Sequence, residues 1–221
     1  MTLATDNPNA LVEFKVTRPE SQDGVEVLGS RVFHDEAASD ITPYSMLFSL
    51  DDVEDQAVDL ISKWIEISHR LNDVCNLYFG VLYKPKSFLD TRFMLVCQSL
   101  EVYQRKRAPA GEGSHGSLDL AFAKELARLL EEHRTTVGPL FGNEIGQGIS
   151  ELTRYRDYVI YRDSKVGSDS DYGPKMFRLT QKLMFLMKAC LLTELGIPSE
   201  RQLKFFQNNQ MYVHLLGLVG N

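Results

Sequence analysis

Residues 176–195 read MFRLTQKLMFLMKACLLTEL and are rich in Met, Phe and Leu. These apolar residues occur on nearly every face of a 3.6-residue period, which predicts a helix that is surrounded by other helices. Gly196 follows at a position where helices commonly end, and Pro198 prevents the helix from continuing. We therefore expect this helix to be a buried member of a helical bundle.

The segments around this helix also follow a helical period. Apolar residues recur at three- and four-residue steps from Ser49 onward, and Ser49 with Asp52 resembles a capping box. Helices are predicted over residues 49–84, 87–107, 117–134, 149–161 and 176–195, with a short element over 199–208. The fold class predicted for the chain is therefore all-α, a bundle of five or six helices.

The first 48 residues have a different pattern. Short alternating runs at Leu11–Val16 and Val25–Phe33 are separated by polar turn residues, which predicts one or two strands. The sequence therefore predicts an acidic N-terminal extension that is partly β over residues 1–48, followed by a helical domain over residues 49–221.

The charge of the chain is distributed unevenly. The 221 residues contain 24 Lys and Arg against 30 Asp and Glu, a net charge of −6. Residues 1–60 contain 13 acidic and three basic residues, whereas residues 61–221 contain 17 acidic and 21 basic residues. The net charge argues against a nucleic-acid partner, but the basic body of the chain is compatible with one.

Several classes of protein are not supported by the composition. No apolar run approaches the roughly 20 residues that a bilayer requires, and the start MTLATDNPNA lacks the features of a signal peptide. We therefore expect a cytoplasmic protein with no membrane partner. The three cysteines are predicted to be buried free thiols, and the five histidines show no metal-binding spacing, so neither a metal nor a cofactor is predicted.

Residues 151–165, ELTRYRDYVIYRDSK, alternate basic residues with tyrosines. Such a segment offers phosphate contacts together with aromatic faces on which bases stack. The residues predicted to bind RNA are Arg154, Tyr158, Arg162 and Lys165. The alternative is a solvated helix face whose tyrosines cover the edge of the core.

Residues 151–163 resemble the R-N-x-x-x-H helix of HEPN (higher eukaryotes and prokaryotes nucleotide-binding) domains, especially the ApeA-like branch of bacterial antiphage defence. FSLDDVEDQAVDLISKWIEI (48–67), CQSLEVYQRKR (97–107) and LMKACLLTELGIP (186–198) resemble that branch in the same order. The resemblance implies a helical bundle and metal-independent ribonuclease activity of the toxin type. It also implies a homodimer in which the motif helices face each other.

Residue by residue, the resemblance places the motif arginine at Arg156, the asparagine at Asp157 and the histidine at Tyr161, with Glu101 as a supporting glutamate. Two of these positions depart from the motif. Histidine titrates near pH 6.5 and tyrosine near pH 10, so Tyr161 is a poor base at neutral pH. Loss of a positioned acid or base commonly lowers a rate by about 10²- to 10⁴-fold.

The spacing of these residues adds a geometric expectation. Asp157 and Tyr161 are four residues apart and share a helical face, which permits a hydrogen bond from phenol to carboxylate. Arg156 and Tyr161 are five residues apart, about 140° around a helix. A site that uses both Arg156 and Tyr161 therefore requires a second chain or a bend.

The leading hypothesis is a dimeric, RNA-directed defence protein whose nuclease activity is weak or lost. The first alternative is an active metal-independent endoribonuclease that uses Arg156 and Tyr161. The second alternative is a non-enzymatic helical module for interaction or regulation. The expected partners are RNA, with tRNA as a candidate, a second copy of the chain, and a larger defence assembly or antitoxin.

Overall fold

The computed structural model describes residues 2–5, 15–17, 24–26, 43–84, 86–107, 118–142, 145–162, 165–168 and 170–219. The helices in these ranges are α1 (Thr2–Thr5), α2 (Ala57–Arg70), α3 (Asn72–Tyr83), α4 (Leu89–Arg107), α5 (Leu118–Glu132), α6 (Ile145–Tyr161), α7 (Tyr172–Glu194), α8 (Ser199–Asn208) and α9 (Gln210–Val219). Strands β1 (Lys15–Thr17) and β2 (Gly24–Glu26) pair antiparallel, with Val16 opposite Val25. An all-α fold with a strand-containing N-terminal extension is therefore confirmed.

The predicted number of five or six helices in the bundle was too low, because α2 to α9 all follow residue 49. The first predicted helix divides at Leu71, which is fully buried and lies outside the helical region at φ −104° and ψ 26°. Backbone hydrogen bonds from Leu71 to Ile67 and from Cys75 to Leu71 continue through this turn. The apolar period therefore runs on without interruption, and the sequence pattern does not show the break.

The last helix, α9, was missed by the sequence analysis. Asn209 separates α8 from α9 with an extended backbone conformation. Its side-chain oxygen accepts hydrogen bonds from the backbone amides of Met211 at 3.1 Å and Tyr212 at 3.2 Å. These are the bonds of a helix N-cap, so Asn209 was the local signal for a new helix.

Helix α7 lies in the core, as its composition predicted. Every residue from Leu183 to Leu192 is buried, so this helix is enclosed on all sides over that stretch. Lys188 is 1% exposed, and its ammonium group lies 4.3 Å from the ring centroid of Phe185. The three cysteines are buried and free, as predicted.

The predicted capping box is confirmed. The amide of Ser49 donates to the Asp52 carboxylate at 2.7 Å, and the amide of Asp52 donates to the Ser49 hydroxyl at 3.4 Å.

Helix packing places the elements that contain the site residues side by side. Helix α4 packs against α3 and α7, and α5 packs against α6. No helix in the described ranges is long and apolar enough to cross a membrane.

Candidate functional site

Helix α6 contains most of the predicted site residues, and aromatic rings attach it to α7. Tyr155 stacks on Tyr172 with their centroids 5.9 Å apart and an interplanar angle of 7°. Tyr158 contacts the same ring edge-on, with centroids 5.4 Å apart. The hydroxyl of Tyr172 donates to Asp90 Oδ1 of α4 at 2.5 Å. Two of the tyrosines in this segment therefore fix the position of α6, as the alternative interpretation expected.

Arg156 points from α6 into the bundle. The residue is 6% exposed, and its guanidinium donates to Glu101 Oε1 of α4 at 2.8 Å. The same guanidinium lies 4.7 Å from the ring centroid of Phe122 on α5. Arg156 therefore joins three helices, and the fold brings it together with the glutamate that the resemblance assigned to support it.

A second carboxylate lies near this pair. Glu125 follows Phe122 by three residues on α5, so the two side chains share a helix face. Partial burial and then the charge of Glu101 raise the pKa of Glu125, although Arg105, Arg128 and Arg156 oppose that shift. The guanidinium of Arg156 therefore lies close to the negative charge of two carboxylates. An open phosphate site would instead present a guanidinium without such charges beside it.

Cys97 precedes Glu101 by one turn of α4 and is fully buried. Burial raises the pKa of its thiol far above the ordinary value, despite the nearby charge of Arg156. The thiol therefore remains protonated near neutral pH and is a poor nucleophile. The position of Cys97 beside the ion pair of Arg156 with Glu101 is therefore explained by packing of the helical core.

Tyr161 is exposed to solvent, in contrast to the buried Arg156. It is 55% exposed at the last residue of α6, beside Ile160, which is 42% exposed. Among the described residues, no hydrogen bond joins the Tyr161 hydroxyl to Asp157, which is half-buried, or to Arg156. The three residues assigned to catalysis therefore do not converge within one chain, and a site that uses all three remains a prediction.

The residues predicted to bind RNA have different surroundings. Arg154 is exposed, its guanidinium lies 5.6 Å from the Tyr155 ring centroid, and it forms no ion pair with a described residue. Arg162 adopts a left-handed conformation at φ 58° immediately after α6 and donates to Asp90 Oδ2 at 2.6 Å. The carboxylate neutralises Arg162 and raises the pKa of its guanidinium. The Lys165 side chain lies outside the described residues.

Sequence reasoning overlooked two cations on α7. Arg178 and Lys182 are four residues apart in a segment whose apolar content predicted a core helix. The ammonium of Lys182 lies 5.2 Å from the ring centroid of Phe141. Burial lowers the pKa of Lys182, the nearby Glu151 carboxylate opposes that shift, and Arg178 adds to it. The four-residue spacing of Arg178 and Lys182, which places both on one helix face, was the sequence signal that could have identified this pair of cations.

Residues 94–201 match the family model for Apea-like HEPN. This part of the chain is an Apea-like HEPN domain. The match spans nearly half of the chain and includes Glu101, Arg156 and Tyr161, so the resemblance seen in the sequence is confirmed over these residues, whereas the segment 48–67 lies outside the match. No curated protein and no solved structure matches the chain. The boundary between residues 1–48 and 49–221 remains a prediction.

No group of three or more His, Cys, Asp or Glu side chains within the described part of the chain is arranged to hold a metal ion. The polar groups that the fold brings together are the Arg156 guanidinium and two carboxylates, whereas the Tyr161 phenol is exposed and apart from them. A guanidinium can stabilise a crowded phosphate, and the other groups can exchange protons only if their pKa values suit the working pH.

Proposed function

We propose that this Apea-like HEPN protein acts on RNA as a homodimer in antiphage defence, and that its nuclease activity is weak or lost. The observation that carries the proposal is the buried pair of Arg156 with Glu101 inside the HEPN match. In the assignment that the resemblance implies, Arg156 is the cation of the motif, and the exposed Tyr161 stands where the motif has histidine.

The chemistry of RNA cleavage explains why this replacement matters. A metal-independent ribonuclease needs one group to accept the 2′-hydroxyl proton, one to protonate the leaving oxygen and a cation for the phosphate. Arg156 is the cation of the motif, but it is buried and paired with Glu101, so it would have to leave that carboxylate to meet a phosphate. A phenol is in general a much weaker proton acceptor at neutral pH than an imidazole, so a tyrosine at this position is a poor substitute for a histidine base. The expected result is slow or undetectable cleavage.

A dimer is supported by the surface at the end of α6. Phe88, just before α4, is 86% exposed, and the ion pair of Arg162 with Asp90 brings this end of α4 beside the end of α6. Ile160 and Tyr161 are also exposed there. Burial of these apolar side chains against a second copy would remove them from water and place the two α6 helices in the same interface.

Restoring the motif tests the proposal. Purified wild type, Tyr161→His and Asp157→Asn/Tyr161→His are incubated with total RNA or tRNA in EDTA, and 2′,3′-cyclic phosphate ends are quantified. The double variant recreates R-N-x-x-x-H and is expected to cleave about 10²- to 10⁴-fold faster than wild type. Tyr161→Phe is the matched control, because it keeps the ring and removes only the hydroxyl.

The controls separate the alternatives. Wild-type cleavage as fast as that of the restored variant, abolished by Tyr161→Phe, would instead establish the active endoribonuclease that uses Tyr161. RNA binding that weakens steeply with added salt supports the RNA-directed proposal. No affinity for RNA at low ionic strength and no cleavage by the restored variant would leave the non-enzymatic helical module. A strict monomer in light scattering would contradict a site shared between two copies.

A further inference from the structure

The outer face of α2 is apolar and exposed. Val58, Ile61 and Ile65 are 77%, 62% and 56% exposed, and their spacing of three and four residues places them on one side of the helix. Single exposed apolar residues are common on protein surfaces, but a continuous row on one helix face is not. We refer to these three residues as the α2 row.

The opposite side of α2 explains why this row faces outward. Ile67 is 3% exposed, and Trp64 contacts the Phe79 ring edge-on at 5.8 Å. The ammonium of Lys63 donates to the Leu195 carbonyl at 3.3 Å, and Arg70 pairs with Glu194 of α7 at 2.5 Å. These contacts fix the rotation of the helix, so the α2 row cannot turn into the core.

Acidic residues lie beside the α2 row. Asp59 and Glu66 follow one flank of the helix, and Asp51 and Glu54 lie in the 3-10 helix Asp51–Gln56 that leads into it. All four residues are exposed, and none forms an ion pair with a described residue. Of the two basic side chains closest along α2, Arg70 is paired with Glu194 of α7, whereas Lys63 donates to the Leu195 carbonyl and keeps its positive charge. Four carboxylates against the one ammonium of Lys63 therefore give this surface a net negative charge beside its apolar centre.

Charge distinguishes between the occupants of such a surface. Residues 6–42 of this chain contain eight acidic and three basic residues, so that segment would bring like charge to the α2 row. A second copy that docked α2 on α2 would oppose the same carboxylates. A helix with an apolar stripe between basic flanks satisfies both the apolar centre and the negative charge.

We propose that the outer face of α2 is a docking site for a basic amphipathic helix of a partner protein. Such a helix buries its apolar residues on the α2 row and places Lys or Arg beside Asp51, Glu54, Asp59 and Glu66. This site is independent of the RNA-directed function proposed for α6, and either can fail without the other. Its affinity should fall with added salt because exposed charges are screened.

The probe is a fluorescein-labelled helical peptide of about 18 residues, or five turns, with Leu at every third or fourth position and Lys on both flanks. Fluorescence anisotropy measures its Kd for the full chain. Two control peptides have the same composition in scrambled order, or Glu in place of each Lys. The test variant is Ile61→Ser/Ile65→Ser, and the matched control is Leu218→Ser, whose side chain is 43% exposed on α9.

The patterned peptide is expected to bind at least about tenfold more tightly than either control peptide, and the double variant is expected to weaken it by at least about tenfold. Leu218→Ser should leave the Kd unchanged, and circular dichroism should show that all variants retain the helical fold. Absent binding, equal binding of the scrambled peptide, or unchanged binding to the double variant would overturn the proposal. A concentration-dependent dimer that Ile61→Ser/Ile65→Ser abolishes would also overturn it, because a second copy would then cover the face.

Discussion

The ion pair of Arg156 with Glu101 should stabilise the HEPN fold, and removal of one partner should be more damaging than removal of both. The side chains are 7% and 19% exposed, and the N–O distance is 2.8 Å. Glu101→Leu leaves a buried guanidinium without this carboxylate. Arg156→Met leaves the Glu101 carboxylate without this cation and beside Glu125, and it also removes the contact with Phe122.

Breaking a buried ion pair costs about 3 to 5 kcal/mol. Glu101 keeps some access to water, so we expect about 3 kcal/mol for Glu101→Leu, near the lower limit. Arg156→Met should cost a similar amount. In a chain of this length, about 1 kcal/mol lowers the Tm by about 2 to 4 °C, so each single variant should melt roughly 6 to 12 °C below wild type. The double variant replaces two charges by apolar groups and should be more stable than either single variant.

Urea unfolding followed by circular dichroism measures the four free energies of this double-mutant cycle. Glu131→Gln is the control, because Glu131 pairs with Arg134 where both side chains are more than two-thirds exposed. That pair should contribute less than about 1 kcal/mol. The reasoning is refuted if the single variants match the control, or if the double variant loses the sum of the two single losses. The result also decides how Arg156 variants are interpreted, since lost RNA cleavage in an unfolded variant says nothing about catalysis.

Three further changes have defined outcomes. Glu125→Gln should raise the free energy of unfolding at pH 7 by less than about 1 kcal/mol, because the raised pKa of the partly exposed Glu125 makes the folded protein lose stability as pH rises above the ordinary glutamate value. That gain should vanish below pH 4 in the same urea titration, and a gain independent of pH would contradict it. Gly196→Ala should cost about 1 to 2 kcal/mol in thermal unfolding, because Gly196 ends α7 at φ 79°, and an unchanged Tm would contradict this. Glu194→Gln should cost about 2 kcal/mol, because Glu194 accepts from Tyr103 at 2.8 Å and pairs with Arg70, and a loss no larger than that of Glu131→Gln would refute it.

Local sequence was enough to predict the main helices. The apolar residues of α7 recur on every face, and Gly196 and Pro198 identify its end, so burial and length both follow from the order of residues. The capping box at Ser49 was equally readable because its two partners are three residues apart. The turn at Leu71 could not be predicted from the sequence, since a single non-helical residue leaves the apolar period intact.

The candidate site was only partly accessible from sequence. The motif resemblance found Glu101 and Arg156, which lie 55 residues apart, and the structure shows them in contact. Glu125 was missed because no sequence spacing relates it to either residue. The exposure of Arg154 and the neutralisation of Arg162 by Asp90 depend on how α6 is rotated against α4 and α7. Periodicity identifies which residues share a face, but not which helix that face meets.

By itself, the sequence determined an all-α fold with a basic body and a buried α7, and it showed the resemblance to Apea-like HEPN domains over residues 94–201. These properties depend on residue identity and short spacings. Only the tertiary structure decided that Arg156 is buried against Glu101, that Tyr161 is exposed, and that the α2 row faces outward. Those properties depend on the rotation of each helix about its axis. That rotation is fixed by contacts between residues distant in sequence, such as Lys63 with the Leu195 carbonyl and Tyr155 with Tyr172.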